Sequence, residues 1–250
     1  MTDPIKVAVL GADGRMGSTV CRAVELAPDL TLVARLERDD DVASLAGRAD
    51  VAVDFTLPAV TEANVHALLD AGVHAVVGTT GWDEAALGRV RDHLTRTAGL
   101  GVVIAPNFAL SAVLAMQFAA TAARWFESAE VIELHHPDKV DAPSGTAVAT
   151  ARQIAAARRA AGRAPMPDAT ETQLEGARGA VVDGVHVHAV RLRGLVAHEE
   201  IVLGNPGEQL TIRTDSFDRV SFMPGVLLAV REVGSRPGLT VGLEHLLELG

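Results

Sequence analysis

The chain has 250 residues, 48% of them apolar and 22% charged, with a net charge of −10 and a single cysteine. Such a composition is globular, with core enough for one large domain or two smaller ones. The acidic balance argues against a nucleic-acid partner, which needs a clustered basic face, and Cys21 alone allows neither an intrachain disulfide nor a thiolate metal cluster.

The N-terminus, Met-Thr-Asp-Pro-Ile-Lys, runs straight into a short apolar strand without the pattern of a signal peptide. No apolar run reaches the roughly 18 residues of a membrane span, so the sequence predicts a soluble, cytoplasmic protein with no membrane partner. Through the first half, nearly continuous apolar strands at 6–10, 30–36, 51–55, 74–77 and 101–105 alternate with helical patterns near 15–27, 59–71, 83–98 and 109–126. Strands apolar on both faces and separated by helices predict a parallel sheet covered on both sides, the doubly wound α/β architecture that binds nucleotides.

Directly after the first strand comes Gly11-Ala12-Asp13-Gly14-Arg15-Met16-Gly17. Glycines there let the backbone turn tightly against a pyrophosphate, and the following helix start supplies N–H groups and positive potential. Glu37 follows the second strand, where an acid accepts hydrogen bonds from the adenosine ribose and favours NADH. Its neighbour Arg38 suits a 2′-phosphate or the adenine face instead, so both NADH and NADPH stay open as cofactors. The run Asp39, Asp40, Asp41 weakens the case for the extra phosphate. Loops after the fourth and fifth strands, Gly78-Thr79-Thr80-Gly81 and Ala105-Pro106-Asn107-Phe108, lie where ligands bind in open parallel sheets and suit a nicotinamide ribose and carboxamide.

Past residue 128 the texture changes. A strand at 130–134 enters Glu133-Leu134-His135-His136-Pro137-Asp138-Lys139-Val140-Asp141-Ala142-Pro143-Ser144-Gly145-Thr146-Ala147, followed by a helix from about 145 to 161. Of 22 basic residues only Lys6 and Lys139 are lysines. A guanidinium stays charged, whereas an ammonium can release a proton, so lysine beside a histidine pair points to proton transfer. Ser144-Gly145-Thr146, opening a helix, offers N–H groups and a hydroxyl to a carboxylate, with Asp141 orienting or capping the turn. His136 is expected to bind rather than react, since adjacent strand residues face opposite ways unless the chain bends. A loop at 162–176 and strands at 186–193, 196–203 and 208–214 come next, then a helix at 217–233 and a short element over 238–249. No His-Glu-x-x-His pattern supports a metal, and none is expected. Trp82 and Trp125 are expected to pack; His66, His74, His93 and His245 read as structural.

Together the segments at 9–17, 78–80, 105–108 and 133–147 resemble the 4-hydroxy-tetrahydrodipicolinate reductase (dihydrodipicolinate reductase) family. The resemblance also takes in His188-Ala-Val-Arg191, Gly194, His198-Glu199 and Gly207-Glu208, and covers essentially the whole chain. It implies a Rossmann-type domain (1–106 and 216–250) and an α+β substrate-binding and tetramerisation domain with an open mixed sheet (107–215). It implies NAD(P)H-dependent reduction of a cyclic dicarboxylate with loss of water, by a homotetramer. On its motif, His135 and Lys139 are the acid/base and proton donor, while His136, Ser144, Gly145 and Thr146 hold substrate. Thr214 and Ala189 stand where the family often has histidine and serine. The alternatives are another two-domain NAD(P)-dependent amino-acid or sugar-acid dehydrogenase, and a non-catalytic NAD(P)-sensing module.

Overall fold

The computed structural model describes residues 3–247. Two compact units emerge, one made of residues 1–110 and 219–250, the other of residues 111–218.

The first unit carries six parallel strands: β1 (Ile5–Leu10), β2 (Leu30–Leu36), β3 (Val51–Asp54), β4 (His74–Val77), β5 (Gly101–Ile104) and β11 (Gly238–Val241), in the order β11-β5-β4-β3-β1-β2. The order reverses between β1 and β3, the place in a doubly wound sheet where loops part and ligands sit. β3 and β5 are buried along their whole length, as parallel strands with two covered faces must be. Helices α2 (Thr61–Asp70) and α3 (Glu84–Leu94) seal one face through Val65, Leu68, Leu69, Leu87 and Val90. Helix α1 (Gly17–Leu26) buries Val20, Cys21 and Val24, and it packs with α6 (Met223–Glu232). Between β2 and β3 a 3-10 turn, Val42–Leu45, takes the place of a helix.

In the second unit the sheet order is β10-β9-β6-β8-β7, from β6 (Ser128–His135), β7 (Ala180–Val182), β8 (Val185–Arg191), β9 (Ala197–Asn205) and β10 (Glu208–Ser216). Only the β6–β8 pair is parallel, so the sheet is mixed. Helices α4 (Leu110–Ala123) and α5 (Gly145–Ala160) cover one face, packing Ala115, Ala119, Ala151 and Ile154 onto Val131, Val187, Ile201 and Leu203. Strand alternation then puts Glu133 and Glu199 on this same covered face. The Asn205-Pro206-Gly207-Glu208 turn joins β9 to β10; Pro206 fixes one φ and Gly207 takes φ +85°.

Several expectations need correction. The helix expected at 217–233 starts at Met223, after a 3-10 turn over Arg219–Phe222. The one expected at 109–126 ends at Ala123, where Trp125 N closes a turn on Ala122 O, and Trp125 is 71% exposed instead of packing, lying past the end of the helix. Helix α3 stops at Leu94, not 98, and the three-residue β7 escaped notice. Over the tail, β11 is followed by a 3-10 turn, Leu243–Leu246; residues 248 and 249 lie outside the described residues. Trp82 does pack against the first core and donates Nε1–H to Thr79 O. His66 and His93 share a proton at 2.8 Å, His74 accepts from Gly101 N, and His245 is exposed.

The glycine loop is tight enough to test. Gly11 holds φ +72°, and a Cβ on Gly17 would lie 2.0 Å from Gly11 O. Gly17→Ala is therefore expected to force the loop open, destabilising the fold by about 1–3 kcal/mol and weakening NADH binding. Urea unfolding and a fluorescence titration with NADH check both; wild-type values in both would contradict this geometry.

Candidate active site

In the first unit, the predicted cofactor residues gather at the carboxyl ends of β1 to β5. Helix α1 starts without a side-chain cap at Met16; Ser18 N is taken by Gly14 O at 2.9 Å, and the other first-turn N–H groups are the ones a ligand can use. Gly14 N donates to Gly11 O (3.1 Å), closing the loop, and Asp13, Gly14 and Arg15 are exposed above buried Ala12. Glu37 is exposed at the end of β2, and its Oε1 accepts from Asp13 N at 2.6 Å, so the acid stands beside the loop.

Asp54, wholly buried at the end of β3, ties the neighbouring loops together. Oδ1 accepts from Thr56 N (2.9 Å), Thr56 Oγ1 (2.7 Å) and Thr79 Oγ1 (3.0 Å), while Oδ2 accepts from Asn64 Nδ2 (2.9 Å). The Thr79 hydroxyl is thus turned into the protein, whereas Thr80 is exposed. Phe55 lies on Gly78, where a Cβ would fall 2.0 Å from the ring. Phe108 is buried against Phe55, with ring centroids 5.9 Å apart, so its side chain is core and only its backbone borders the loop. Ala105 is buried, Pro106 is exposed, and Asn107 Oδ1 accepts from Ala109 N, turning the chain toward α4. Asp54 carried no expected role from sequence. A lone carboxylate ending an apolar strand, followed by Thr56 and Asn64, was the available signal.

The second unit builds its site around a different buried acid. Glu133 has no exposed side-chain surface. Arg191, paired with His135 across β6 and β8, grips it with both terminal nitrogens at 2.7 Å, and Ser144 N donates to Oε1 at 3.0 Å. Since a carboxylate can only accept, His135 donates Nδ1–H to Oε2 at 2.5 Å, which leaves Nε2 as the working nitrogen of the ring. Burial is the largest single influence on Glu133 and pushes its pKa up, but Arg191, His135 and the Ser144 N–H together hold it below the ordinary carboxylate value. Burial also lowers His135; Glu133 opposes this, while the Lys139 and Arg191 charges reinforce it. The net shift is downward and favours the neutral ring.

β6 ends at His135, and Lys139 N donates to His136 O at 3.3 Å. That bend returns Lys139 toward the strand end, where Nζ meets Asp141 Oδ1 at 2.6 Å and lowers the Asp141 pKa. Asp141 also accepts from Gly145 N with Oδ2 (3.2 Å), while its carbonyl takes Arg191 Nη2 (2.7 Å). The peptide between Ala142 and Pro143 is cis. Ser144 caps α5, its Oγ accepting from Ala147 N. His136 and Gly145 are exposed, and a Cβ on Gly145 would meet nothing within 4 Å, so packing does not require glycine there. The predicted residues His135, His136, Lys139, Ser144, Gly145 and Thr146 thus converge on one turn held by Glu133 and Arg191. Neither of these two was given a function from sequence. Glu133 was findable, because a period of two places it on the face of His135; Arg191 depends on a pairing 58 residues away.

Comparison with known proteins bears on both halves. The family model described as "Dihydrodipicolinate reductase, N-terminus" matches residues 5–108, and "Dihydrodipicolinate reductase, C-terminus" matches residues 111–247. The chain belongs to the dihydrodipicolinate reductase family. A 4-hydroxy-tetrahydrodipicolinate reductase from Beutenbergia cavernae is 76% identical over 98% of this chain and 99% of its own, and one from Corynebacterium efficiens is 58% identical over 98% and 99%. Among solved structures, a dipicolinate-bound dihydrodipicolinate reductase from Paenisporosarcina sp. TG-14 superposes with a TM-score of 0.89 at 37% identity, covering 98% of this chain and 100% of that one. The Glu133–Arg191 clamp described above therefore belongs to a dihydrodipicolinate reductase fold.

Proposed function

We propose that the protein reduces 4-hydroxy-tetrahydrodipicolinate to tetrahydrodipicolinate with NADH or NADPH, with net loss of water, in the diaminopimelate route to lysine. It is an oxidoreductase of the family just named. The observation that carries the reading is the turn from His135 to Thr146, which the Glu133–Arg191 pair holds beside an imidazole and an ammonium.

The residues present fit a nicotinamide nucleotide. The uncapped start of α1 with Gly11, Ala12, Asp13, Gly14, Arg15 and Met16 would hold its pyrophosphate, Glu37 its ribose, and Arg38 its adenine or 2′-phosphate. The loops of Gly78, Thr79 and Thr80 and of Ala105, Pro106, Asn107 and Phe108 would border the nicotinamide end. When bound, the reduced nucleotide supplies a hydride.

The second unit does the rest. His136, Ser144, Gly145 and Thr146 receive the substrate carboxylates at the start of α5, where N–H groups and the helix dipole favour an anion. Hydride arrival on the conjugated ring leaves enamine character that must be protonated. Lys139, an ammonium in an ion pair, gives that proton. His135, its shift favouring the neutral form and its Nδ1 committed to Glu133, orients the substrate ring and exchanges the proton with solvent through Nε2. A homotetramer assembles through the sheet face that α4 and α5 leave bare, where Ile132, Leu134 and Val190 lie; the enzyme works in the cytoplasm.

Steady-state kinetics test the reading. Both nucleotides should be oxidised when substrate is supplied from its synthase, NADH at least as efficiently as NADPH because Asp39, Asp40 and Asp41 repel the extra phosphate. Dipicolinate should compete with substrate. A strong preference for NADPH would overturn the cofactor reading, and no oxidation of either would overturn the function.

A further inference from the structure

Opposite Glu133 on the antiparallel neighbour strand stands a second buried carboxyl, Glu199, 5% exposed on the same helix-covered face. It shares the burial of Glu133 but not its cationic partners. Oε1 lies 2.7 Å from Thr150 Oγ1; Oε2 is buried with no hydrogen-bond partner among the described residues. The groups facing it are Glu133 from β6, whose negative charge is already committed to Arg191 and His135, Thr150 and Thr146 from α5, and Thr214 from β10, which donates its hydroxyl to Ser111.

Thr150 Oγ1 is also 3.0 Å from Thr146 O, one turn earlier in α5. A hydroxyl has a single proton to give. If it goes to the Thr146 carbonyl, which can only accept, the Glu199 contact must run the other way and the acid must donate. An ionised Glu199 would instead place a buried, half-unpartnered charge directly across from the ionised Glu133, and burying an unpaired charge is strongly unfavourable. We propose that Glu199 is a positioning residue held as a neutral acid: its O–H donates to Thr150 Oγ1, Thr150 donates to Thr146 O, and this relay fixes the first turn of α5, which presents Gly145 and Thr146 to the substrate carboxylate. The part concerning substrate rests on the reductase reading; the protonation of Glu199 does not.

Burial, reinforced by Glu133 and only partly opposed by Thr150, pushes the Glu199 pKa to about 7. The relay is therefore intact in mildly acidic solution and breaks as pH rises through that value. Glu199→Gln keeps a neutral side chain able to donate and removes the ionisation. Two windows follow from the sign of the shift. A raised folded-state pKa contributes stability fully present below the unfolded value and lost progressively up to the folded one. The wild-type to Glu199→Gln ratio of folding equilibrium constants should thus fall about tenfold per pH unit from about pH 4.3 to about 7, then level off. The ratio of their substrate KM values should stay flat in acid and rise about tenfold by one unit above the midpoint, with kcat little changed.

The experiment is urea unfolding of wild type and Glu199→Gln across that pH range, paired with substrate KM over the upper half. Flat ratios in unfolding overturn the neutral acid whatever the enzyme's substrate is; a sloping unfolding ratio with a flat KM ratio overturns the positioning role alone. If the variant fails to fold, 13C-labelled glutamate NMR of the wild type reads the same group. A carboxyl signal titrating at about 7 supports the proposal, and its absence overturns it.

Discussion

Replacing Lys139 by alanine is expected to lower kcat by about 10²–10⁴-fold, the usual contribution of a positioned proton donor, while the Kd for NADH stays at the wild-type value. The split follows from placement. Lys139 belongs to residues 111–218, whereas the glycine loop and Glu37 belong to the other unit, so the substitution removes a proton donor and leaves the nucleotide residues themselves unchanged. Stopped-flow kinetics with a separate NADH titration measure the two quantities. His135→Gln should reduce kcat in the same direction. Near-wild-type turnover in both variants would remove proton transfer from this turn.

Glu133→Gln carries the second large effect, and it is mainly structural. The carboxylate accepts four hydrogen bonds from Arg191, His135 and Ser144, at zero exposure. An amide offers one acceptor in place of two and presents its own N–H groups to donors. Breaking a buried pair by removing one charge costs about 3–5 kcal/mol; since Arg191 keeps some contact with solvent, about 3 kcal/mol is the expected loss. A fall in the urea midpoint should accompany a fall in kcat, because His135 loses the acceptor that fixes its tautomer. The same substitution one strand away, Glu199→Gln, is expected to be tolerated. Two glutamates paired across one sheet thus answer differently to an identical change, which separates charge from shape.

The sequence was most readable where one physical demand acts alone. Buried parallel strands need apolar side chains on both faces, so β4 was visible to the residue and β1, β3 and β5 to within one; the edge strand β2, mostly part-exposed, was visible to the residue from its apolar run alone. The glycine loop was visible because backbone closeness admits no Cβ, and the turn from His135 to Thr146 because two imidazoles, a rare lysine and a helix opening coincide. Interactions between distant segments were not legible. Asp54 looked like the end of a strand, although it joins the loops after β3 and β4 through Thr56, Thr79 and Asn64. Glu133 and Arg191 stand 58 residues apart and meet only through the parallel pairing of β6 with β8. Apolar character placed Trp125 in the core, yet its indole is exposed; Phe108, expected beside the cofactor from its loop position, keeps its ring buried and offers that loop its backbone.

The most direct test of the account follows the product itself. Wild-type enzyme is given NADH and freshly synthesised 4-hydroxy-tetrahydrodipicolinate, and tetrahydrodipicolinate is measured by mass spectrometry against NADH consumed. One product molecule per NADH oxidised, with no oxidation when the dicarboxylate is left out, is the expected result. NADH that stays reduced, or is oxidised without this product appearing, would contradict it.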